Sequence, residues 1–347
     1  MLGSKKKEPT AFTARPEQKP AARPALRSAE NNRNTAAVSG ASGARGAAVF
    51  LKGGKQYVLS RRSIGCGGEG NIYNIENDRS CCCKIYKKSL TPVQAVRLAD
   101  ATEIFRRIRI ESPEVGKYIC PPEEIVYDHE KPVGYIMRYV RGQPLSFYTS
   151  FEANLLEAYC QADQLFLCEQ TAFVVGMLHQ AGIVIGDLDP SNILVRPDGS
   201  IAFVDLNGAG FSMGNRHYEA VSFHPVMASP EHIASGSGSA LTRYDDLWCL
   251  ENIIFRLLMP SFEPYNYKCC KELEDDITEG NYFFFDERRI VSPEAAALYD
   301  ALPLRLKVYF MHCFHHDGDH FWPERRPDAF TVYRILHQCR TQTKKKG

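Results

Sequence analysis

No stretch of this 347-residue chain approaches the ~18 uninterrupted apolar residues that a membrane-spanning helix needs. Lys5-Lys6-Lys7 has no apolar run behind it, so a secretory leader is not expected. An excess of one charge is also lacking. The formal net charge is +1, which excludes the strong field that would draw the whole chain to nucleic acid or to lipid. No internal repeat is visible. The twelve cysteines do not read as a disulfide framework in a chain of this length. Cys81-Cys82-Cys83 sits where apolar core residues belong, and free cysteines of that kind favour a reducing compartment. The expectation is a soluble cytoplasmic protein with no membrane span and no specific nucleic-acid binding.

With 44% hydrophobic residues the chain can bury one large core or two small ones. Charge is unevenly placed. Residues 1–48 hold nine Lys/Arg against three Glu, with almost no large apolar side chains. Residues 1–47 therefore read as a disordered basic tail, either a plain solvated segment or an arm that docks a partner. From Ala48 the pattern turns β-like: Val49–Leu51, Tyr57–Leu59, Ser63-Ile64, Asn71–Ile75, Cys81–Tyr86, Glu124–Tyr127 and Gly134–Tyr139. Thr91-Pro92-Val93-Gln94 opens a helix, with Thr91 as N-cap, Pro92 at the first helical position and Gln94 closing a capping box. After Gly142 the character becomes helical, notably over Asp163–His179 and Asp246–Leu258. This predicts a β-rich domain over 48–141, a helix-rich one over 142–340 and a basic tail over 341–347.

Gly65-Cys66-Gly67-Gly68-Glu69-Gly70, followed by Ile72, satisfies G-x-G-x-x-G, which dinucleotide sites and other phosphate loops share. A dinucleotide site needs a helix after the last glycine. Here Asn71–Ile75 is strand-like, so the glycines read as a strand–turn–strand lying over phosphates. Lys84 follows fourteen residues after Gly70, flanked by core-type residues. A lysine there either snorkels to solvent or holds a partner, and an adjacent phosphate loop supplies one. Glu103, nineteen residues further on, is a candidate to brace Lys84, with Glu111 as a competitor. The strongest signal is Leu178 to Val195, with Gly186-Asp187-Leu188-Asp189-Pro190-Ser191-Asn192 at its centre, and Asp205 thirteen residues after Asn192. Two apolar strands, Ile193–Val195 and Ile201–Val204, joined by a Pro197-Asp198-Gly199 turn, bring Asn192 and Asp205 to neighbouring strand ends. Oxygen donors so placed suit Mg²⁺ and its phosphates.

This segment resembles the catalytic and metal-binding loops of the protein kinase superfamily, H-R-D-L-x-x-x-x-N followed by D-F-G. Further landmarks follow in order. Met137–Gly142 resembles the hinge, Ser229-Pro230-Glu231 resembles A-P-E, Asp246-Leu247-Trp248 resembles the start of the D-x-W helix, and Arg326-Pro327 resembles the late arginine that pairs with the A-P-E glutamate. The resemblance covers roughly 57–338. It implies an α+β, two-lobed protein-kinase-like fold: a β-rich N-lobe with one main helix, then a helical C-lobe. It also implies ATP and Mg²⁺ as cofactors and a protein substrate, more readily Ser/Thr than Tyr. Carried over by position, Asp187 and Lys84 are the catalytic pair. Gly65, Gly67, Gly70, Ile72, Lys84, Glu103, Arg138 and Val140 surround the nucleotide, the last two at the adenine edge. Asn192 and Asp205 hold the metal.

Four departures stand out. Ile185-Gly186 replaces H-R, which removes the usual counter-charge for a phosphorylated activation segment. Asp189 replaces a lysine, Asp205-Leu206-Asn207 replaces D-F-G, and Ser229 replaces an alanine. The G-D-L and D-x-N forms resemble divergent bacterial kinase-like proteins, including effectors that act in a host cytosol. Two rival readings carry the same loops: a pseudokinase that only binds partners, and a small-molecule kinase of the aminoglycoside-phosphotransferase type. His312-Cys313, His315-His316 and His320 match no standard zinc spacing and read as packing residues.

Overall fold

A computed structural model describes residues 48–51, 53–150, 161–220, 227–236, 239–265, 270–284 and 292–343. The expected tail at 1–47 lies outside the described residues, as do residues 344–347 of the tail expected over 341–347, whereas residues 341–343 close the last helix.

Strands β1 (Ala48–Leu51), β2 (Gln56–Cys66), β3 (Gly70–Ile75) and β4 (Asp78–Tyr86) lead into helix α1 (Pro92–Glu111) and the one-turn α2 (Pro113–Gly116). After β5 (Ile119–Cys120) come β6 (Glu124–Asp128) and β7 (Lys131–Arg138). Six of these close into a barrel in the order β1-β2-β3-β4-β7-β6. Alternation along each strand sends every second side chain inward, and Val49, Tyr57, Leu59, Ile75, Cys83, Val126 and Ile136 fill the barrel. The triple cysteine divides by the same rule. Cys83 enters the barrel, while Cys82 on the opposite face packs with Leu98 of α1 and with Tyr135 and Met137 of β7. Burial pushes the Cys82 thiol up to about 12, so it behaves as an apolar filler. Lys84, two residues on, must share the face of Cys82, which is turned toward α1. The predicted capping box on α1 is present: Gln94 N donates to Thr91 Oγ1 at 3.2 Å and Thr91 N to Gln94 Oε1 at 2.9 Å.

Beyond β7 the short β8 (Gln143–Pro144), α3 (Gln161–Gln180), β9 (Ile193–Val195) and β10 (Ile201–Val204) follow, then β11 (Phe211–Met213) and β12 (Arg216–Tyr218). The helical remainder is α4 (Pro230–Ser235), α5 (Arg243–Leu258), α6 (Cys270–Glu279), α7 (Pro293–Ala301), α8 (Leu304–Phe314) and α9 (Ala329–Thr343). Helix α5 is buried almost all round, the mark of a central core helix. It starts three residues before the expected Asp246, because Thr242 and Asp245 form a capping box there. Its Trp248 and Phe255 meet Tyr265, Phe310, Phe314 and Phe321 in edge-on and stacked contacts. Helix α9 ends at Thr343 and is tied to α3, where Glu169 accepts from His337 Nδ1 at 2.9 Å and from Arg340 Nη2 at 3.1 Å. The architecture is the expected two-lobed α+β fold.

Candidate active site

The β2–β3 hairpin carries the glycines. Gly65 pairs with Ile72 and Cys66 with Asn71, and the tip closes by Gly67 N donating to Gly70 O at 2.9 Å. A Cβ on Gly70 would lie 2.6 Å from Ile85 O, so only glycine lets the tip lie this close to β4. Ile72 pairs with Lys84 and packs against the cluster of Cys82, Leu98, Tyr135 and Met137. On the other side of β4, Gly134 of β7 would place a Cβ 1.9 Å from Lys84 O. That glycine sets how closely the two strands approach at the lysine. Sequence reading did not mark it.

Lys84 is almost fully buried. Its Nζ donates to Asp205 Oδ1 and to Asn207 Oδ1 (3.2 Å), and Glu69 Oε2 stands 3.6 Å away. Tyr135, wholly buried, reaches the same group, with its hydroxyl 3.2 Å from Asp205 Oδ1 and 2.9 Å from Asn207 Oδ1. Burial first, and then the Asp205 charge, hold the Tyr135 phenol far above its ordinary range, so it serves as a neutral donor. Glu103, expected to brace Lys84, is bonded elsewhere. It accepts from Arg106 (2.8 and 2.9 Å) and Arg107 (2.9 Å) on its own helix, and those bonds, Arg106's first, hold its carboxyl down at about 2. The reason is helical geometry: residues three and four apart share a face, and two arginines wait there.

Asn192 and Asp205 flank the open end of the β9–β10 hairpin. Ile193 pairs with Phe203, so the register sets Asn192 opposite Val204, one residue before Asp205. Asp205 takes a left-handed backbone (φ 59°), which aspartate tolerates better than most residues. The departure from D-F-G is thereby absorbed, because Asn207 is not the residue with positive φ. Asn192 Nδ2 donates to Asp187 Oδ2 at 2.9 Å and to Asp187 O at 3.2 Å. That leaves the amide oxygen of Asn192 as the end suited to a cation. An amide oxygen and the Asp205 carboxylate are hard donors of the kind Mg²⁺ takes. Asp205 and Glu69 both stand against Lys84, so the carboxylates at this point outnumber the lysine.

The loop that carries Asp187 hangs from α5. Fully buried Asp246 accepts from Ile185 N (2.7 Å), Gly186 N (2.8 Å) and His179 Nε2 (2.9 Å). Gly186 sits at φ 76°, a conformation glycine reaches without strain. Asp189 is occupied locally, accepting from Ser191 N at 2.8 Å as the cap of the turn before Asn192. In the segment expected as the hinge, the Arg138 guanidinium bonds Gly116 O at 2.7 Å and also Ile119 O. Val140 follows two residues beyond the end of β7. Farther out, Arg326 Nη2 donates to Glu231 Oε2 at 2.8 Å, the anticipated pairing. Cys313 is buried in the core, while ligand atoms of His315, His316 and Asp317 lie within 4.8 Å of one another near the surface. The cysteine and histidines are thus not one zinc cluster.

Sequence reading also missed how α1 grips the segment after Asp205. Arg97 donates to Gly208 O (3.0 Å), Ala209 O (2.8 Å) and Glu219 O (2.8 Å). Buried Asp100 accepts from Arg216 Nη2 (2.9 Å) and from the Tyr218 hydroxyl (2.6 Å). Asp100 lies between the buried Leu98 and Ala101, and no local pattern in the sequence marks it.

The comparisons agree with this geometry. The protein kinase domain model matches residues 58–302. The chain is similar to Protein kinase YegI of Escherichia coli K12, at 24% identity over 312 residues, covering 86% of this chain and 47% of that protein. It is similar to Serine/threonine-protein kinase PrkC of Bacillus subtilis, at 29% over 214 residues, covering 59% and 30%. A Probable cAMP-dependent protein kinase catalytic subunit of Encephalitozoon cuniculi is 27% identical over 249 residues, covering 69% and 70%. The chain thus spans half or less of the first two relatives. With the domain match covering most of the chain, on a fold that carries the loops in order, this chain belongs to the protein kinase family.

Proposed function

We propose that the chain is an ATP- and Mg²⁺-dependent protein kinase that transfers the γ-phosphate to a serine or threonine hydroxyl. The observation that carries this is the joint retention of Lys84, Asp187, Asn192 and Asp205 around one cleft, with Asn192 holding the Asp187 carboxylate. A module that only bound partners would have no need of that arrangement.

Asn192 and Asp205 would hold Mg²⁺, which when bound neutralises phosphate charge and orients the oxygens for in-line transfer. Lys84 would exchange its contact with Asp205 for phosphate oxygens, freeing that carboxylate for the metal. The glycine loop would cover the phosphates with backbone N–H groups, and the backbone of Arg138 and Val140 would meet the adenine edge. Asp187 would accept the hydroxyl proton of the substrate or orient that hydroxyl. Asp189, engaged with Ser191, supports the loop in this scheme.

The test is transfer from γ-labelled ATP to generic Ser/Thr and Tyr protein acceptors and to aminoglycoside-type small molecules, with and without Mg²⁺, followed by phosphoamino-acid analysis. Label on serine or threonine supports the proposal. Label on small molecules alone refutes the protein substrate, and no transfer with any metal refutes the enzyme.

A further inference from the structure

Each carboxylate of α1 has a place away from Lys84. Asp100 is taken by Arg216 and Tyr218, Glu103 by Arg106 and Arg107, and Glu111 lies exposed at the last position. Among the described residues, the carboxylates at Lys84 belong to Asp205 and Glu69. If Asp205 turns to a metal, Glu69 is the one that remains.

Glu69 is held in place by more than its charge. Its carbonyl accepts from Lys87 N at 2.8 Å, one residue past the end of the strand that carries Lys84, and Lys87 Nζ reaches Gly67 O at 2.6 Å. The adjacent Gly70 cannot bear a side chain without meeting β4, so the tip sits low over Lys84. Asn207 completes the link. Its Nδ2 donates to Glu69 Oε2 at 3.2 Å, while its Oδ1 accepts from Lys84 and from Tyr135. A glycine at 207 would make none of these contacts. The glutamate in the glycine loop and the asparagine after Asp205 are therefore two halves of one device.

We propose that Glu69, bridged by Asn207, is the positioning carboxylate of Lys84, in place of a glutamate from α1. This rests on the kinase reading above. The Glu69 side chain is 52% exposed, so the pair adds little to stability. Its effect lies in the direction of the lysine, and small misplacements of a positioning group lower turnover steeply.

The test measures kcat, ATP KM and nucleotide affinity for the wild type and for E69A, E69D, E69Q, E103A, N207G and E69A/N207G. The expected result is a kcat about tenfold lower in E69A, with ATP KM changed less than about threefold, partial recovery in E69D and none in E69Q. E103A costs less than E69A. N207G resembles E69A, and the double variant falls no more than about twofold below either single one, the non-additivity of two parts of one unit. A larger loss in E103A than in E69A overturns the proposal by returning the role to α1. Tighter nucleotide binding and faster turnover in E69A overturn it too, by making Glu69 a stopper over the phosphate site. A wild type that transfers nothing overturns the kinase reading itself, and is told apart from the other outcomes by that control alone.

Discussion

Replacing Asp246 by alanine tests whether the loop that carries Asp187 is shaped by the helix beneath it. The carboxylate has no solvent exposure and accepts three hydrogen bonds, from Ile185 N, Gly186 N and His179 Nε2. Truncation leaves buried donors without acceptors, at about 1–3 kcal/mol each. Against this, the protein no longer holds a charge away from water, a relief of several kcal/mol. The balance is a net loss of about 3 kcal/mol. For a folded region of this size that lowers Tm by about 6 °C. Activity should fall further than stability. Gly186 is held at φ 76° directly before Asp187, so releasing its N–H lets the Asp187 carboxylate drift, and a displacement near 1 Å costs about 10²-fold in rate. The assay pairs thermal unfolding with transfer rate at 15–20 °C below the variant's own Tm, roughly where it stays folded. A Tm within 2 °C of wild type would refute the energetic argument, taking about 2 °C per kcal/mol. A lowered Tm with an unchanged rate would show that the loop keeps its shape without the carboxylate.

The two cleft aspartates should separate by role. Asp205→Asn is expected to weaken Mg²⁺-ATP binding and abolish turnover, while Asp187→Asn leaves nucleotide affinity nearly intact and lowers kcat by about 10²–10⁴. Nucleotide titration beside single-turnover kinetics reads both, and equal affinity losses would contradict the division. Glu251 is fully buried, and burial first raises its carboxyl to about 7 although the Arg326 charge opposes. A folded-state value above the unfolded one contributes stability that is full below pH 4.5 and lost as pH rises through about 7. Glu251→Gln should therefore gain up to about 3 kcal/mol on wild type at pH 8 relative to pH 5, as read by denaturant unfolding at both pH values. A pH-independent difference would refute the shift. Gly134→Ala places a methyl 1.9 Å from Lys84 O and should destabilise by more than about 3 kcal/mol by forcing β4 and β7 apart. A soluble variant with wild-type Tm would show that the strands can yield. Tyr135→Phe removes hydroxyl contacts with Asp205 and Asn207 and should lower kcat severalfold with Tm little changed, since Lys84 still donates to both oxygens.

Much of the fold was legible because its signals are local. Short β-type runs such as Val49–Leu51, Tyr57–Leu59, Asn71–Ile75 and Cys81–Tyr86 marked the barrel strands. Thr91-Pro92-x-Gln94 set the start of α1 before any packing was known, and Pro197-Asp198-Gly199 closed the hairpin whose open end Asn192 and Asp205 flank. The partners of long side chains were not legible, since they depend on which faces meet. Nineteen residues of spacing suggested Glu103 for Lys84, yet helix phase gave Glu103 to Arg106 and Arg107. Packing across the cleft instead brought Glu69, Asn207 and Tyr135 to the lysine. Nothing in the sequence places residues 69, 135 and 207 together, because no local pattern encodes a contact between three separate elements. The order of the phosphate-handling residues along the chain was fixed by the sequence itself. Which carboxylate steadies the lysine was decided only by how the glycine loop folds down over β4, where Gly70 alone permits the approach.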